Sequence, residues 1–219
     1  VFMGKKVLEL IGTTTTTTII RPPLPYTFFT RPLSWRHNDT QINTVYPDLA
    51  GKGWQYKSAE LVKREMLTKF IQEGILNSIG FIFNIYGWDT TPGRVGYLHP
   101  NGITLMDELN RVFNEVRQQT AAVLPVFIGE WNQSSNMTTE PTVDTYTYGY
   151  LQPFRDRGFG WFYFNYDPNY PWTIKDQNYN DRFNTTVGMT YRQVLRDAIN
   201  RIYKRYYIYQ RLHSSEPFL

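Results

Sequence analysis

An alternation of short apolar runs with amphipathic segments constrains the fold of this chain more than any other feature. Five apolar runs indicate strands, and they fall at residues 6–11, 26–30, 78–86, 125–128 and 160–165. Four segments with helical spacing lie between or after them, at 58–72, 104–120, 142–155 and 189–211. Strands that read as continuous apolar runs and alternate with helices are typical of an α/β fold built on a parallel sheet.

Local signals predict where several of these elements begin and end. Ser58 has the character of an N-cap, Gly74 that of the glycine that ends a helix, and Thr104 with Asp107 resembles a capping box. Residues 34–57 show no clear period and are expected to form a long loop on the functional face. The threonine run at 13–18 either prolongs the first strand or forms a polar loop or linker.

The composition is that of an ordinary globular chain with many aromatic residues. Hydrophobic residues make up 41% of the 219 residues and aromatic residues 17%. Aromatic rings stack on sugar rings, but a tyrosine-rich core would give the same composition. The net charge is +4, and residues 189–213 hold six basic residues against one acidic residue. This pattern favours a solvated basic helix face over nucleic-acid or membrane binding.

Several observations bear on compartment and processing. The chain has no cysteine, which excludes disulfides and thiolate chemistry. Four Asn-x-Ser/Thr sequons indicate a secreted or cell-surface glycoprotein, with candidate glycosylation sites at Asn38, Asn132, Asn136 and Asn184. No apolar run of about 20 residues is present, so no membrane span is expected. Because the chain starts at Val1, an N-terminal portion is expected to be absent.

The run Pro-Val-Phe-Ile-Gly-Glu-Trp at residues 125–131 carries a specific resemblance. It resembles the nucleophile strand of glycoside hydrolase family 5, the cellulase-like enzymes. Three further segments follow the order of that family: 7–13 is similar to its fourth strand, 81–86 to its sixth and 160–164 to its eighth. The resemblance implies a (β/α)8 TIM barrel that is incomplete in this chain, with about five strands over residues 1–213 and a tail at 214–219.

The same resemblance implies roles for individual residues. Glu130 stands at the position of the catalytic nucleophile, and Tyr86 matches the tyrosine that hydrogen-bonds to it. The remaining candidates would line a sugar site, although each tryptophan among them is equally compatible with a core position. They are Asn84, Trp88, Trp131, Trp161 and Phe164.

Three departures from the family pattern weaken the expected activity. Gly12-Thr13 replaces the family's Asn-Glu, Asn84 replaces a histidine, and Phe164 replaces a tryptophan. Retaining glycosidases need two carboxyl groups about 5–5.5 Å apart, and Thr13 cannot act as a general acid at neutral pH. Asp89 and Asp167 are better placed than Glu9 to supply a substitute acid, but either could simply cap loop amides.

Two functions therefore remain open. The first is a retaining β-glycosidase acting on a β-glucan or related glycan. The second is a catalytically silent relative that binds carbohydrate or serves as a structural subunit. The glycosidase and the carbohydrate-binding relative imply an oligosaccharide or polysaccharide ligand. The incomplete barrel implies contact with its own N-terminal half or another subunit. His37, His99 and His213 show no metal-ligand spacing, so neither a metal nor a cofactor is expected.

Overall fold

A computed structural model describes residues 27–30, 39–85, 88–89, 91–92, 96–131, 140–164 and 173–204. The expected first strand at 6–11 and the threonine run at 13–18 lie outside the described residues. The described part of the chain is a mixed α/β structure with a small parallel sheet. The α/β class expected from the sequence is therefore confirmed.

Eight strands are present among the described residues. They are β1 (Thr27–Thr30), β2 (Ile79–Asn84), β3 (Trp88–Asp89), β4 (Tyr97–Leu98), β5 (Val126–Glu130), β6 (Gly160–Trp161), β7 (Phe183–Asn184) and β8 (Met189–Thr190). The α-helices are α1 (Asp39–Val45), α2 (Trp54–Leu61), α3 (Thr68–Gln72), α4 (Pro100–Thr120), α5 (Val143–Tyr146), α6 (Gln152–Asp156) and α7 (Tyr191–Ile199). Three π-helical stretches continue or join these helices, at Val62–Leu67, Thr147–Leu151 and Asn200–Lys204. Short 3-10 turns lie at Pro47–Leu49 and Leu76–Ser78.

The main sheet contains β1, β2, β5 and β6, which are parallel and lie side by side in chain order. Parallel neighbours must be joined by crossover connections, and these are almost always right-handed. An unreversed strand order therefore favours helices on a single face, as in a singly wound sheet. The described strands form an open sheet, so a closed barrel is not shown by them.

One face of the sheet packs against α4. The rings of Phe81 and Phe83 on β2 lie 5.1 and 5.9 Å from the ring of Phe113. All three side chains are almost fully buried. On the opposite face Phe127 stacks on Phe162 at 5.4 Å, and 52% of Phe162 is exposed. The helix-facing side is therefore the better covered of the two.

The caps of α4 differ from the expected capping box. The helix begins at Pro100, a favoured first position because proline lacks the unpaired N–H. His99 is the N-cap, and its Nδ1 accepts a hydrogen bond from the Asn101 amide at 3.1 Å. Thr104 lies inside the first turns and donates to the Pro100 carbonyl at 3.0 Å. The prediction of a capping box at Thr104 and Asp107 is therefore wrong, although the helix ends at Thr120 as expected.

The segment before β2 also begins earlier than expected. Helix α2 starts at Trp54 with Gly53 as its N-cap, so Ser58 is a buried interior residue and the N-cap prediction is wrong. The prediction of Gly74 as the terminating glycine is confirmed by its φ of +70°. The Ile75 amide donates to the Phe70 carbonyl at 3.1 Å, which closes the helix end.

The long loop expected at 34–57 is wrong for residues 39–57. This stretch contains α1, a 3-10 turn and the start of α2. Its apolar residues are too widely spaced to reveal a period, but some of them belong to a small separate core. Two of these, Ile42 and Leu49, pack with Leu61, which ends α2.

The last two expected helices are present with shifted boundaries. Thr142 caps α5 by accepting from the Thr145 amide at 3.1 Å, and the helical path continues through α6. Helix α7 starts at Tyr191, two residues later than expected, because Thr190 and Gln193 form a capping box. Of the buried stripe expected on this helix, Ile202 is buried, Ile199 is half-buried and Tyr206 lies outside the described residues.

A helix needs about 20 predominantly apolar residues to span a bilayer. Within the described ranges, no helix is both long and apolar enough to do so.

Candidate functional site

Asn84 and Glu130 lie opposite each other at the carboxyl edge of the sheet. They end the neighbouring strands β2 and β5 and are paired in the ladder. Pairing runs without a break up to Phe83 and Ile128, and then skips Gly129. One extra residue on β5 is the pattern of a β-bulge, which bends a strand locally and often re-aims a side chain beside a functional site. The structure thus brings two of the predicted site residues together.

Gly129 makes this arrangement possible. A Cβ atom at Gly129 would lie 2.8 Å from Asn84 Oδ1 and 2.4 Å from Ile82 Cγ2. Both distances are closer than real Cβ contacts, so any side chain here would displace Asn84 or its strand. Sequence reasoning named Gly129 only as part of the motif and missed this role, because periodicity does not reveal a bulge.

The Glu130 carboxylate is half-buried. It forms no hydrogen bond or ion pair with any other described residue. Structural carboxylates at this depth usually accept hydrogen bonds, because burying an unpaired charge costs free energy. A carboxylate without such partners at the edge of a sheet is chemically available to a ligand.

Trp131 does not line a ligand site in this structure. It is 1% exposed and lies at the centre of an aromatic cluster on the helix side of the sheet. The Trp131 cluster consists of Trp131, Tyr146, Tyr150, Phe154, Trp161 and Tyr163, with ring centroids 5.0–5.9 Å from that of Trp131. Trp131 is therefore a core residue, and the prediction that it binds substrate is wrong.

Trp161 and Phe164 are half-buried near the same edge. Trp161 packs edge-on against Trp131, and its Nε1 donates to the Tyr203 hydroxyl at 2.9 Å. This bond ties the indole to the helical segment after α7. The Phe164 amide donates to the Trp131 carbonyl at 3.3 Å, so its backbone continues the line of β6 beside β5.

Several predicted residues lie outside the described residues. These are Thr13, Tyr86, Asp167, Asn38, Asn132 and Asn136, together with the side chain of Trp88. The backbone of Trp88 is described and pairs with Leu98 in the two-stranded ribbon of β3 and β4.

Asp89 has the character of a structural carboxylate. It is 5% exposed, and its Oδ1 accepts a hydrogen bond from the Thr91 amide at 2.9 Å. This matches the alternative in which Asp89 caps a loop amide. A buried carboxylate committed to its own turn is a poor candidate for a substitute acid.

Asn184 is fully buried at the start of a turn. Its Nδ2 donates to the Pro141 carbonyl at 2.6 Å, and its Oδ1 accepts from the Thr186 and Val187 amides at 3.0 and 3.1 Å. Glycosylation needs a free Nδ2 atom at the surface. These contacts argue against Asn184 as a glycosylation site in the folded chain.

The candidate metal ligands of this chain are His, Asp and Glu side chains, because it has no cysteine. Across the described ranges, no three His, Asp or Glu side chains are grouped so as to hold an ion.

Comparisons with known proteins give no relative for this chain. No protein-family model matches it. No curated protein and no solved structure is significantly similar to it either.

Proposed function

We propose that this chain is a sugar-binding domain of retaining β-glycosidase descent, with Glu130 at the nucleophile position and weak or no hydrolytic activity. The pairing of Asn84 with Glu130 at the carboxyl edge of adjacent parallel strands is the observation that carries the proposal. Parallel α/β proteins place their ligands at this edge, where the strands release side chains into a common space.

The chemistry available to Glu130 follows from its surroundings. A half-buried carboxylate without described partners can approach an electron-poor carbon, and the carboxamide of Asn84 can orient a neighbouring hydroxyl group. Attack by a Glu130 oxygen on an anomeric carbon would form a glycosyl ester and expel the leaving oxygen with its electron pair.

Protonation of that leaving oxygen is the weak step in this proposal. Thr13 occupies the position where the resemblance expects an acid, and a threonine hydroxyl does not ionise at neutral pH. General acid catalysis is typically worth about 10²–10⁴-fold in rate. The leaving groups of natural glycans need a proton, so we expect these glycans to bind without efficient cleavage.

A labelling experiment separates the nucleophile from the absent acid. The protein is incubated with a 2-deoxy-2-fluoro cellobioside that carries a dinitrophenyl leaving group, and its intact mass is measured. Dinitrophenolate leaves without protonation, so an intact nucleophile is expected to retain the fluoro-disaccharide as an ester. Peptide mapping should place the added mass on Glu130, and Glu130→Gln should remove it. Glu73→Gln, an exposed glutamate at the end of α3, is the matched control and should label normally.

The outcome also decides between the two classes of function. An adduct on Glu130 supports glycosidase descent with a working nucleophile. Binding of cellotetraose without an adduct would contradict the nucleophile assignment and leave a silent carbohydrate-binding protein. Absence of both would overturn the sugar-based proposal and favour a structural subunit.

The proposal extends to location and assembly. Secretion or display at the cell surface, with glycans on Asn38, Asn132 or Asn136, is testable by enzymatic glycan release from protein made in a glycosylating host. Barrel closure takes eight strands, and the main sheet of the described residues has four. The remaining strands would come from the rest of this chain, from its N-terminal half or from another subunit.

A further inference from the structure

A surface groove that Glu130 does not line has the chemistry of a second ligand site. It lies between the first turns of α4, the β3–β4 ribbon and the helical segment from α5 to α6. Its volume is about 330 Å³. Small-molecule sites in proteins usually range from ~300 to ~1,000 Å³, so the groove is large enough for a small ligand.

The groove combines an apolar floor with aromatic walls. Leu98 and Ile103 contribute to the floor, and Tyr97 and Tyr148 contribute to the walls. Tyr148 is 48% exposed, so part of its side chain is accessible to a ligand. Gly149 allows the close approach of Tyr97, because a Cβ atom there would lie 3.1 Å from Tyr97 Cα and 3.2 Å from its ring.

One side of the groove is a helical row at four-residue intervals: Tyr148, Gln152 and Asp156. Such spacing places side chains on one face of a helix. The Gln152 carboxamide makes no hydrogen bond with any other described residue. It therefore offers one acceptor and two donors to a ligand.

The charged groups of the groove are already neutralised. Arg157 forms an ion pair with Asp107 at 2.7 Å and also donates to the Pro153 carbonyl at 2.8 Å. Asp156 is paired with Arg155 at 2.6 Å. An anionic ligand would compete with Asp107 for Arg157, and a cationic ligand would compete with Arg155 for Asp156. The groove is therefore suited to a neutral ligand.

We infer that this groove binds a neutral pyranose unit of an oligosaccharide. A pyranose has an apolar C–H face that can lie against Tyr148 and a rim of hydroxyl groups that can bond to Gln152 and the free oxygen of Asp156. A pyranose therefore matches the groove in its apolar face, its polar edge and its lack of charge. The inference shares sugar chemistry with the proposed function but uses different residues, so each can fail separately.

The test is titration of ¹⁵N-labelled protein with cellotetraose, followed by amide shifts. Shifts are expected to concentrate at Gly149, Gln152 and Arg157. Tyr148→Ala and Gln152→Ala change half-buried or exposed positions and should each weaken binding by about three- to tenfold. Gln118→Ala is the matched control, because Gln118 is an exposed glutamine on α4 that does not line the groove.

Two charged tetrasaccharides test the argument from neutrality. Tetragalacturonate, which is anionic, and chitosan tetramer, which is cationic, are both expected to bind more weakly than cellotetraose. Stronger binding of either would overturn the inference, as would the absence of shifts at the groove with all three sugars. Shifts that survive both groove variants but vanish in Glu130→Gln would overturn it and support the proposed function. Labelling of Glu130 by the fluoro-cellobioside, without shifts at the groove, would likewise overturn the inference and support the proposed function.

Discussion

Two regions of this molecule differ in the side-chain interactions that form around their helices. The Trp131 cluster joins the α5–α6 segment to β5 and β6 through six aromatic rings. The interface of α2 with α4 instead carries a network of charged side chains. Glu60 accepts hydrogen bonds from Arg64 at 3.3 Å and from Arg111 at 2.9 Å, and Arg111 also pairs with Glu108 and Glu115.

The difference predicts how salt and pH affect the stability of each region. Aromatic packing depends on area removed from water and is little affected by salt or by pH in the neutral range. The Glu60 network, defined as Glu60, Lys63, Arg64, Glu108, Arg111 and Glu115, depends on ionised groups that are mostly about one-third exposed. Salt screens charges at that depth. The two regions should therefore fail under different conditions.

The largest expected effect is at the Trp131 cluster. Trp131→Ala should lower the free energy of unfolding by about 3–5 kcal/mol, because it leaves a cavity that five rings line. Urea denaturation followed by circular dichroism measures this change. Phe162→Ala removes a ring that is 52% exposed on the other face of the sheet and should cost far less. Equal losses in the two variants would contradict the assignment of Trp131 to the core.

A smaller loss is expected at the Glu60 network. The Glu60 side chain is 7% exposed and has two arginine partners, so Glu60→Gln should lower the free energy of unfolding by about 1–2 kcal/mol. Arg111 keeps two other carboxylates, which limits the loss. Adding ~1 M sodium chloride should shrink the difference from the parent protein. Glu73→Gln, at an exposed pair with a 3.8 Å separation, serves as the control. A loss in Glu60→Gln that salt leaves unchanged would indicate packing instead of charge.

The smallest expected effects are on the pH dependence of the free energy of unfolding, and they differ between the two regions. Hydrogen bonding to Lys63 lowers the pKa of Glu115 below 4.5, with a further contribution from Arg111. Its stabilising contribution is present above pH 4.5 and is lost as pH falls through the lower folded-state pKa. Burial raises the pKa of Tyr146 well above 10.0, with the neighbouring Tyr163 adding to the effect. Its contribution is present below pH 10 and is lost as pH rises, because the unfolded phenol ionises first.

Unfolding free energies measured from pH 3 to pH 11 check these slopes. Glu115→Gln should reduce the dependence of the unfolding free energy on pH in the acid range. The reduction should be partial, because Asp48 and Asp181 also have lowered pKa values and remain in the variant. Tyr146→Phe should flatten the alkaline limb and lose the 3.1 Å hydrogen bond to the Tyr163 hydroxyl. Unchanged limbs in both variants would show that other groups dominate the pH dependence.

The sequence predicts the fold class well because apolar runs and helical spacing depend on local pattern. The strands at β1, β2 and β5 and the end of α4 were all accessible in this way. The first residues of the helices were harder to predict. His99 with Pro100 is an uncommon N-cap, and Ser58 matches a cap by type while lying in a helix interior. A cap depends on backbone geometry that residue identity alone does not determine.

The candidate site was predictable only in part, for a related reason. Sequence order places Asn84 and Glu130 at the ends of strands, and pairing between parallel strands brings them together. Burial of Trp131 could not be read from the motif, because a tryptophan after a strand can point to either face. The groove beside Tyr148 was missed because its residues are scattered over three segments, and only the row at four-residue intervals gave a local signal.

The π-helical stretch between α2 and α3 has a consequence for changes in chain length. A π turn holds one residue more than an α turn, so it interrupts the helix without ending it. Losing one residue within Val62–Leu67 would restore a regular α-helix and keep the faces before and after it in phase. The same loss within α4 would rotate every following side chain by about 100° and move the buried face away from the core. The helical segment from α2 to α3 can therefore absorb the loss of one residue, whereas α4 cannot lose one without changing the direction of its buried face.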